Sequence, residues 1–277
     1  MTTALSAALL AALAGLLIGS FLNVCIYRLP RDLSVVAPRS FCPECDRPIA
    51  WYDNVPLLSY ALLAGRCRRC GASIPWRYPV VELLTAVLFF IAVWILGVNA
   101  AAIKYCVFAA ILVTLIFSDL EEKILPDEFT LGGVILGLIF AAVAPTTGGM
   151  WRVLLFNVTR NDRVLSLVES AFAAAISSGA LWVVGFAYEK LRHREGLGLG
   201  DVKMIAMIGT FLGLQGVLLT LMLGSVLGAL VGVAIIVISR KDAATYELPF
   251  GSFLGVAALI IAYAGEIVMN WYGRLGS

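Results

Sequence analysis

Two aspartates stand at the ends of apolar runs, where a carboxylate is costly. Asp119 follows Ile116-Phe117-Ser118 at the close of one run, and Asp201 follows Gly198-Leu199-Gly200 where another begins. Ionisable groups at membrane depth cost several kcal/mol and face a wet cavity or a partner. A carboxylate at a helix C-terminus also opposes the macrodipole, so helix formation gives no reason for Asp119. Asp201 is comfortable in a first helical turn and, taken alone, reads equally as a cap. Two carboxylates in one site cannot both ionise easily, so they hold one proton between them and titrate as a unit. The ionised member can deprotonate a water while the protonated member polarises a peptide carbonyl, which is the chemistry of aspartic proteolysis. The single histidine, His193, lies in the basic run Leu191-Arg192-His193-Arg194 and reads as a solvated loop residue. With one histidine, neither a Ser–His–Asp triad nor an HExxH zinc site is possible.

The neighbours of each acid suggest how it is held. After Asp119 the chain runs Leu120-Glu121-Glu122-Lys123-Ile124-Leu125-Pro126-Asp127. Pro126 stops the preceding helix, and Asp127 is placed to cap the helix carrying Leu131 to Ile139, with support of the catalytic loop as its further reading. Glu121 and Glu122 read as solvated or paired with Lys123. Gly198 and Gly200 let backbone approach closely beside Asp201, and Lys203 follows two residues later. A lone Gly-x-Gly-Asp string is weak evidence. It gains force here because it opens an apolar helix and a second acid ends another.

A second constellation is built from sulfur. Cys42-Pro43-Glu44-Cys45 and Cys67-Arg68-Arg69-Cys70 are two CxxC turns separated by 21 residues. Each turn supplies two thiolates at the bite that tetrahedral zinc requires, so the four cysteines are expected to hold a structural zinc. Gly71 provides the freedom such a turn needs, and the adjacent arginines favour thiolate over thiol. Two disulfides or four free thiols are the competing readings, and a cytoplasmic setting disfavours the disulfides. Cys25 and Cys106 each sit alone in an apolar helix and read as packing residues.

These groups must be carried by membrane helices. The chain has 277 residues, 61% hydrophobic and 14% charged, with mean hydropathy +0.96. No soluble domain needs so much apolar surface, so an all-α polytopic membrane protein is predicted. Eight segments approach the roughly 20 residues a crossing needs: 4–27, 79–97, 101–118, 129–145, 165–188, 202–215, 217–239 and 250–271. Gly213, Gln215 and Gly216 favour a turn between the sixth and seventh. The division expected is 1–28 as the first helix, 29–78 as a cytoplasmic insert, and 79–277 as a membrane domain of about seven helices. An insert of about 50 residues buries little core and needs a metal or disulfide.

The net charge of +2 is less informative than its distribution: of 20 Lys and Arg, 15 fall in alternate connections, eight of them within 28–78. The positive-inside rule then puts both termini outside and both aspartates near the cytoplasmic face. The first twenty residues lack a basic n-region, so the first helix is read as retained rather than cleaved. In the polar stretch 146–164, Trp151, Leu154, Leu155 and Val158 have the spacing of an interfacial helix. No internal repeat is apparent, and no nucleic-acid partner is expected.

Taken with their flanks, these motifs resemble one known family across nearly the whole chain. Phe21-Leu22-Asn23-Val24 with Tyr27-Arg28-Leu29-Pro30, Arg39 through Cys45, Trp51 through Tyr60 and Arg77-Tyr78-Pro79-Val80-Val81-Glu82 are similar to the first half of type IV prepilin leader peptidases. Asp119 through Asp127 and Gly198-Leu199-Gly200-Asp201-Val202-Lys203 resemble that family's two catalytic motifs. The resemblance implies an eight-helix inner-membrane aspartic protease of the GxGD class, with Asp119 and Asp201 as its catalytic pair. It implies cleavage of the short basic leader from prepilins or pseudopilins, after a glycine, at the cytoplasmic boundary. Both CxxC pairs make the chain similar to bifunctional members, which also methylate the new amino terminus with S-adenosylmethionine. No glycine-rich nucleotide loop accompanies them, so no residue is assigned to the methyl donor. Glu121, Glu122 and Glu195 are candidates to hold the leader's cations. Two rivals use the same acids: a GxGD protease of other substrates, and a cation- or proton-coupled transporter. The CxxC insert disfavours the first, and the absence of related halves disfavours the second.

Overall fold

The computed structural model describes residues 2–145, 161–192, 198–239 and 248–275. Among these, every regular element is helical, and pairing between extended segments is limited to two isolated bridges. The helices are α1 (Thr2–Arg28), α2 (Leu58–Leu62), α3 (Arg77–Leu96), α4 (Ala100–Glu122), α5 (Asp127–Val143), α6 (Asp162–Arg192), α7 (Leu199–Ser239) and α8 (Phe250–Leu275). All eight apolar segments expected from the sequence are therefore helical. Five of the described helices are long and apolar enough to cross a bilayer, with a shorter apolar stretch at Phe250–Gly265, so the chain is an integral membrane protein. The expected interfacial helix at Trp151 to Val158 lies outside the described residues, as do His193 and Glu195.

The chain divides into two compact units, residues 1–114 and 115–277. In the first, α1 packs along α3. The contact is close because Gly15 and Gly19 have no side chains: a Cβ at Gly15 would lie 2.7 Å from Ala86 Cα, and one at Gly19 2.7 Å from Glu82 Cα. This small-xxx-small spacing is how apolar helices associate where hydrophobic burial gives no drive. Asn23 fixes the register, its Nδ2 donating to Tyr78 O across the pair (3.1 Å). At the end of α1, buried Arg28 donates to the carbonyls of Ser34 (2.9 Å) and Pro38 (2.8 Å), binding the start of the insert to the helix that precedes it.

In the second unit α7 is the central element, packing against α5, α6 and α8. Met204, Ile205, Met207, Ile208 and Phe211 are fully or almost fully buried along its first half. The helix breaks at Gly213, which takes φ 70° and ψ −178°. That conformation suits glycine alone, and it divides α7 where the turn was expected. Glu169 of α6, itself buried, faces the break, with Oε1 3.1 Å from where a Gly213 Cβ would sit.

Candidate active site and cysteine cluster

Both aspartates belong to the second unit, and three helix ends bring them together. Asp119 lies in the last turn of α4, where Lys123 takes φ 54° and its N–H donates back to Asp119 O (3.0 Å), closing the helix. Asp201 lies in the first turn of α7, its N–H donating to Gly198 O (3.1 Å). The third element is the start of α8. A Cβ built on Gly251 would lie 3.1 Å from Asp201 Oδ1 and 3.2 Å from Asp119 Cγ. The two carboxylates thus stand no farther apart than those lengths added together. A side chain at position 251 would enter the space they share.

The first turn of α8 also answers why an acid is tolerated at a helix C-terminus. Ser252 donates to Asp119 Oδ2 twice, from its backbone N–H (2.6 Å) and from its hydroxyl (2.7 Å). The N–H belongs to the first turn of α8, where it also reaches Pro249 O (3.2 Å), and the positive end of α8 offsets the dipole of α4. Asp119 and Ser252 are both buried, at 6% and 3% exposure, so these bonds form away from bulk water.

The supporting residues behave in different ways. Gly200 lets Leu125 of the α4–α5 connection pack on the start of α7: a Cβ there would meet the Leu125 side chain at 3.2 Å. Gly198 lies beside the Asp201 carboxylate, 3.6 Å from Oδ2 by the same measure. Asp127 departs from the capping role expected of it. Pro126 occupies the cap position without a side-chain bond, and Asp127 is already the first residue of α5. Its carboxylate is taken instead by Lys203, whose Nζ donates to Oδ1 (2.7 Å) and Oδ2 (2.9 Å). An ammonium two residues beyond Asp201 competes successfully with orphan N–H groups because both partners are charged.

Gly251 and Ser252 carry no motif of their own, and the sequence reading passed over them. The available signal was Leu248-Pro249-Phe250-Gly251-Ser252, a helix opening on the side of the chain that alternate-connection counting assigns to both acids.

The cysteine cluster belongs to the first unit. The Sγ atoms of Cys42, Cys45, Cys67 and Cys70 all lie within 4.8 Å of one another. Zn–S bonds of ~2.3 Å in a tetrahedron put sulfurs ~3.8 Å apart, and Cys42 Sγ and Cys70 Sγ are 3.8 Å apart. A disulfide would bring them to about 2.05 Å. Backbone N–H groups of Cys70 and Arg69 hold the Cys67 thiol at about 6, well below the ordinary thiol range. The two turns are also copies of each other, contrary to the expectation of no repeat. Cys42 N–H donates to Arg47 O and Ile49 N–H to Ser40 O, and Cys67 N–H donates to Ala72 O and Ile74 N–H to Gly65 O. Bridges Phe41–Pro48 and Arg66–Ser73 match in the same way. The repeat is C-x-x-C-x-x-x-I-x-W at a 25-residue offset, from Cys42 to Trp51 and from Cys67 to Trp76, and it is faint because the residues between these four positions all differ. Outside the cluster, Arg68 binds both carboxylate oxygens of Asp53 and lowers its pKa. Cys25, at 2% exposure, is a packing residue as expected.

An integral membrane chain with two acids converging at helix ends and a separate thiol cluster defines a restricted class of protein. Residues 13–96 match the bacterial peptidase A24 N-terminal domain, and residues 106–233 match the type IV leader peptidase family. A prepilin leader peptidase/N-methyltransferase of Aeromonas hydrophila is 34% identical over 281 residues, covering 93% of this chain and 90% of the relative. Its namesake in Neisseria gonorrhoeae is 32% identical, covering 95% and 93%. One from Myxococcus xanthus is 38% identical, covering 82% of this chain and 62% of that longer protein. No solved structure matches the chain. The chain belongs to the type IV leader peptidase family.

Proposed function

We propose that this protein cleaves the basic leader peptide from type IV prepilins or pseudopilins, with Asp119 and Asp201 as the catalytic pair. The observation that carries the reading is the convergence of both carboxylates on Gly251, from helices 82 residues apart in sequence. One carboxylate, ionised, takes a proton from a water. The other, protonated, polarises the scissile carbonyl and receives charge as the tetrahedral intermediate forms. Gly251 keeps the space between them clear, and Ser252 orients Asp119. Gly198, Gly200, Asp127 and Lys203 support the pair through the contacts described above.

The distribution of Lys and Arg supports an inner-membrane orientation with both termini outside and the pair at the cytoplasmic face. A leader that is cytoplasmic and basic, joined to a helix in the bilayer, presents its cleavage site at that depth. Glu121 and Glu122 are suited to hold the leader's cations. The names of the relatives support a second activity, methylation of the new amino terminus with S-adenosylmethionine, which we assign to the segment 29–78. Cys42, Cys45, Cys67 and Cys70 would hold zinc there with no open position, so the metal would brace the fold and take no part in either reaction.

The decisive experiment is cleavage of a purified prepilin by the protein in detergent. Activity lost in Asp119→Asn and in Asp201→Asn, with both variants folded, is the expected result. Cleavage surviving both would return the acids to ion binding or transport.

A further inference from the structure

We infer that Ser252 is a positioning residue whose hydroxyl turns between two acceptors as Asp119 gains and loses its proton. This rests on the reading of Asp119 as a member of the catalytic pair, and it adds a residue that no motif points to.

Ser252 Oγ has two oxygen neighbours, Asp119 Oδ2 at 2.7 Å and the carbonyl of Ile116 at 3.0 Å. A hydroxyl has one hydrogen and two lone pairs, so it cannot donate fully to both. The protonation state of Asp119 decides between them. When Asp119 is ionised, the Ser252 hydroxyl and N–H both donate to Oδ2. When Oδ2 carries a proton, that proton is donated to Ser252 Oγ, and the serine hydrogen swings to Ile116 O. The N–H of Ser252, 2.6 Å from Oδ2, remains a donor to its other lone pair in either state. Both states are hydrogen-bonded, no heavy atom moves, and serine ends with the same single hydrogen.

A carboxyl that cycles between acid and base needs this at a site with 6% exposure, where solvent is poorly placed to reorganise. Such preorganisation acts on the chemical step rather than on binding. Among the described residues, the charged groups acting on the pair are Asp119, which acts on Asp201, and Lys123, which acts on Asp119 from the end of α4. The first turn of α8 supplies no charged side chain, so its influence on Asp119 runs through Ser252.

The test is a kcat, KM and pH profile for prepilin cleavage by Ser252→Ala, Ser252→Thr and Asp119→Asn, with thermal unfolding measured alongside. Loss of the hydroxyl is expected to lower kcat roughly ten-fold at constant KM. It should move the acid limb of the kcat profile to higher pH by about one unit, because the ionised pair has lost a donor. Ser252→Thr should restore both. If Ser252→Ala fails to fold, Ser252→Cys, with its weak donor, is read in the same way. A wild-type pH profile in the folded hydroxyl-deficient variant, with Asp119→Asn inactive, overturns the inference and leaves the pair standing. A loss of rate that threonine does not rescue, with the profile unmoved, reduces Ser252 to a structural role and overturns it too. Cleavage retained by Asp119→Asn removes the catalytic pair itself, a different failure.

Discussion

The thiol cluster and the acid pair solve opposite problems. Each half of the cluster is local: four residues and the turn that follows them place two sulfurs, and the second half repeats the first 25 residues later. The acid pair has no local half. Asp119 depends on α8 for its hydrogen bonds, and the pair depends on Gly251 for room. A site made of local pieces can be assembled by a metal in a segment with little core. A site drawn from three helix ends exists only once those helices have packed. The cluster therefore suits bracing, and the pair suits chemistry that must be rigidly oriented.

The largest effect expected is at the acids. Asp119→Asn or Asp201→Asn should lower kcat for prepilin cleavage by at least about 10³-fold, since each removes one half of an acid–base couple. Thermal unfolding should be nearly unchanged. A second, opposite result is expected at the cluster. Cys67→Ser should take bound zinc, measured by mass spectrometry of the purified protein, from one per chain to almost none, and loosen the segment 29–78 to proteolysis. Cleavage should persist within about two-fold, because the pair lies in the other compact unit. Equal loss of cleavage in both kinds of variant would erase the distinction. Loading should follow pH as well: thiols must lose their protons to bind, and burial and neighbouring sulfurs raise Cys42 and Cys70 while backbone N–H groups lower Cys67, so zinc should reload onto the stripped protein at pH 7 more readily than at pH 5.

Gly251 sharpens the comparison, since it marks what the pair requires and the cluster does not. A methyl there would stand 3.1 Å from Asp201 Oδ1 and 3.2 Å from Asp119 Cγ, closer than such contacts ordinarily come. Gly251→Ala should leave the helices packed and shift the carboxylates, and a misplacement of this kind costs about 10²-fold in rate. Wild-type kcat in that variant would mean the space at Gly251 is not where substrate reacts.

What could be read from the sequence follows the same division. The meeting of the four cysteines was legible, because CxxC turns carry their geometry with them, but the repeat that relates the two turns was not. The helices were legible too, since long apolar runs leave few alternatives. The two acids stood out because burying them has no bland explanation. Their partners did not. Ser252 and Gly251 are small residues at a helix start, a composition found at many helix starts, and only packing shows that this one meets Asp119. The Gly15–Gly19 contact of α1 with α3 was missed for a related reason: small-xxx-small spacing says that something approaches, but not what. Asp127 failed differently. A carboxylate after proline fits a cap, and the lysine that claims it lies 76 residues away.

That lysine gives the smallest and most discriminating prediction. Lys203 and Asp127 join the start of α7 to the start of α5, so they link the two catalytic segments without touching either carboxylate's chemistry. Their side chains are 34% and 56% exposed, and pairs so open to water contribute about 0–1 kcal/mol. A double-mutant cycle of Lys203→Met and Asp127→Asn, read by thermal unfolding, should give a coupling in that range and weaken with salt. If the pair serves only stability, kcat should be unchanged. If it aligns α7 with the α4–α5 connection, each single variant should lower kcat a few-fold, and the double variant should be no worse than either. That non-additivity would mark Lys203 and Asp127 as one device, reaching Asp201 through the backbone that carries both.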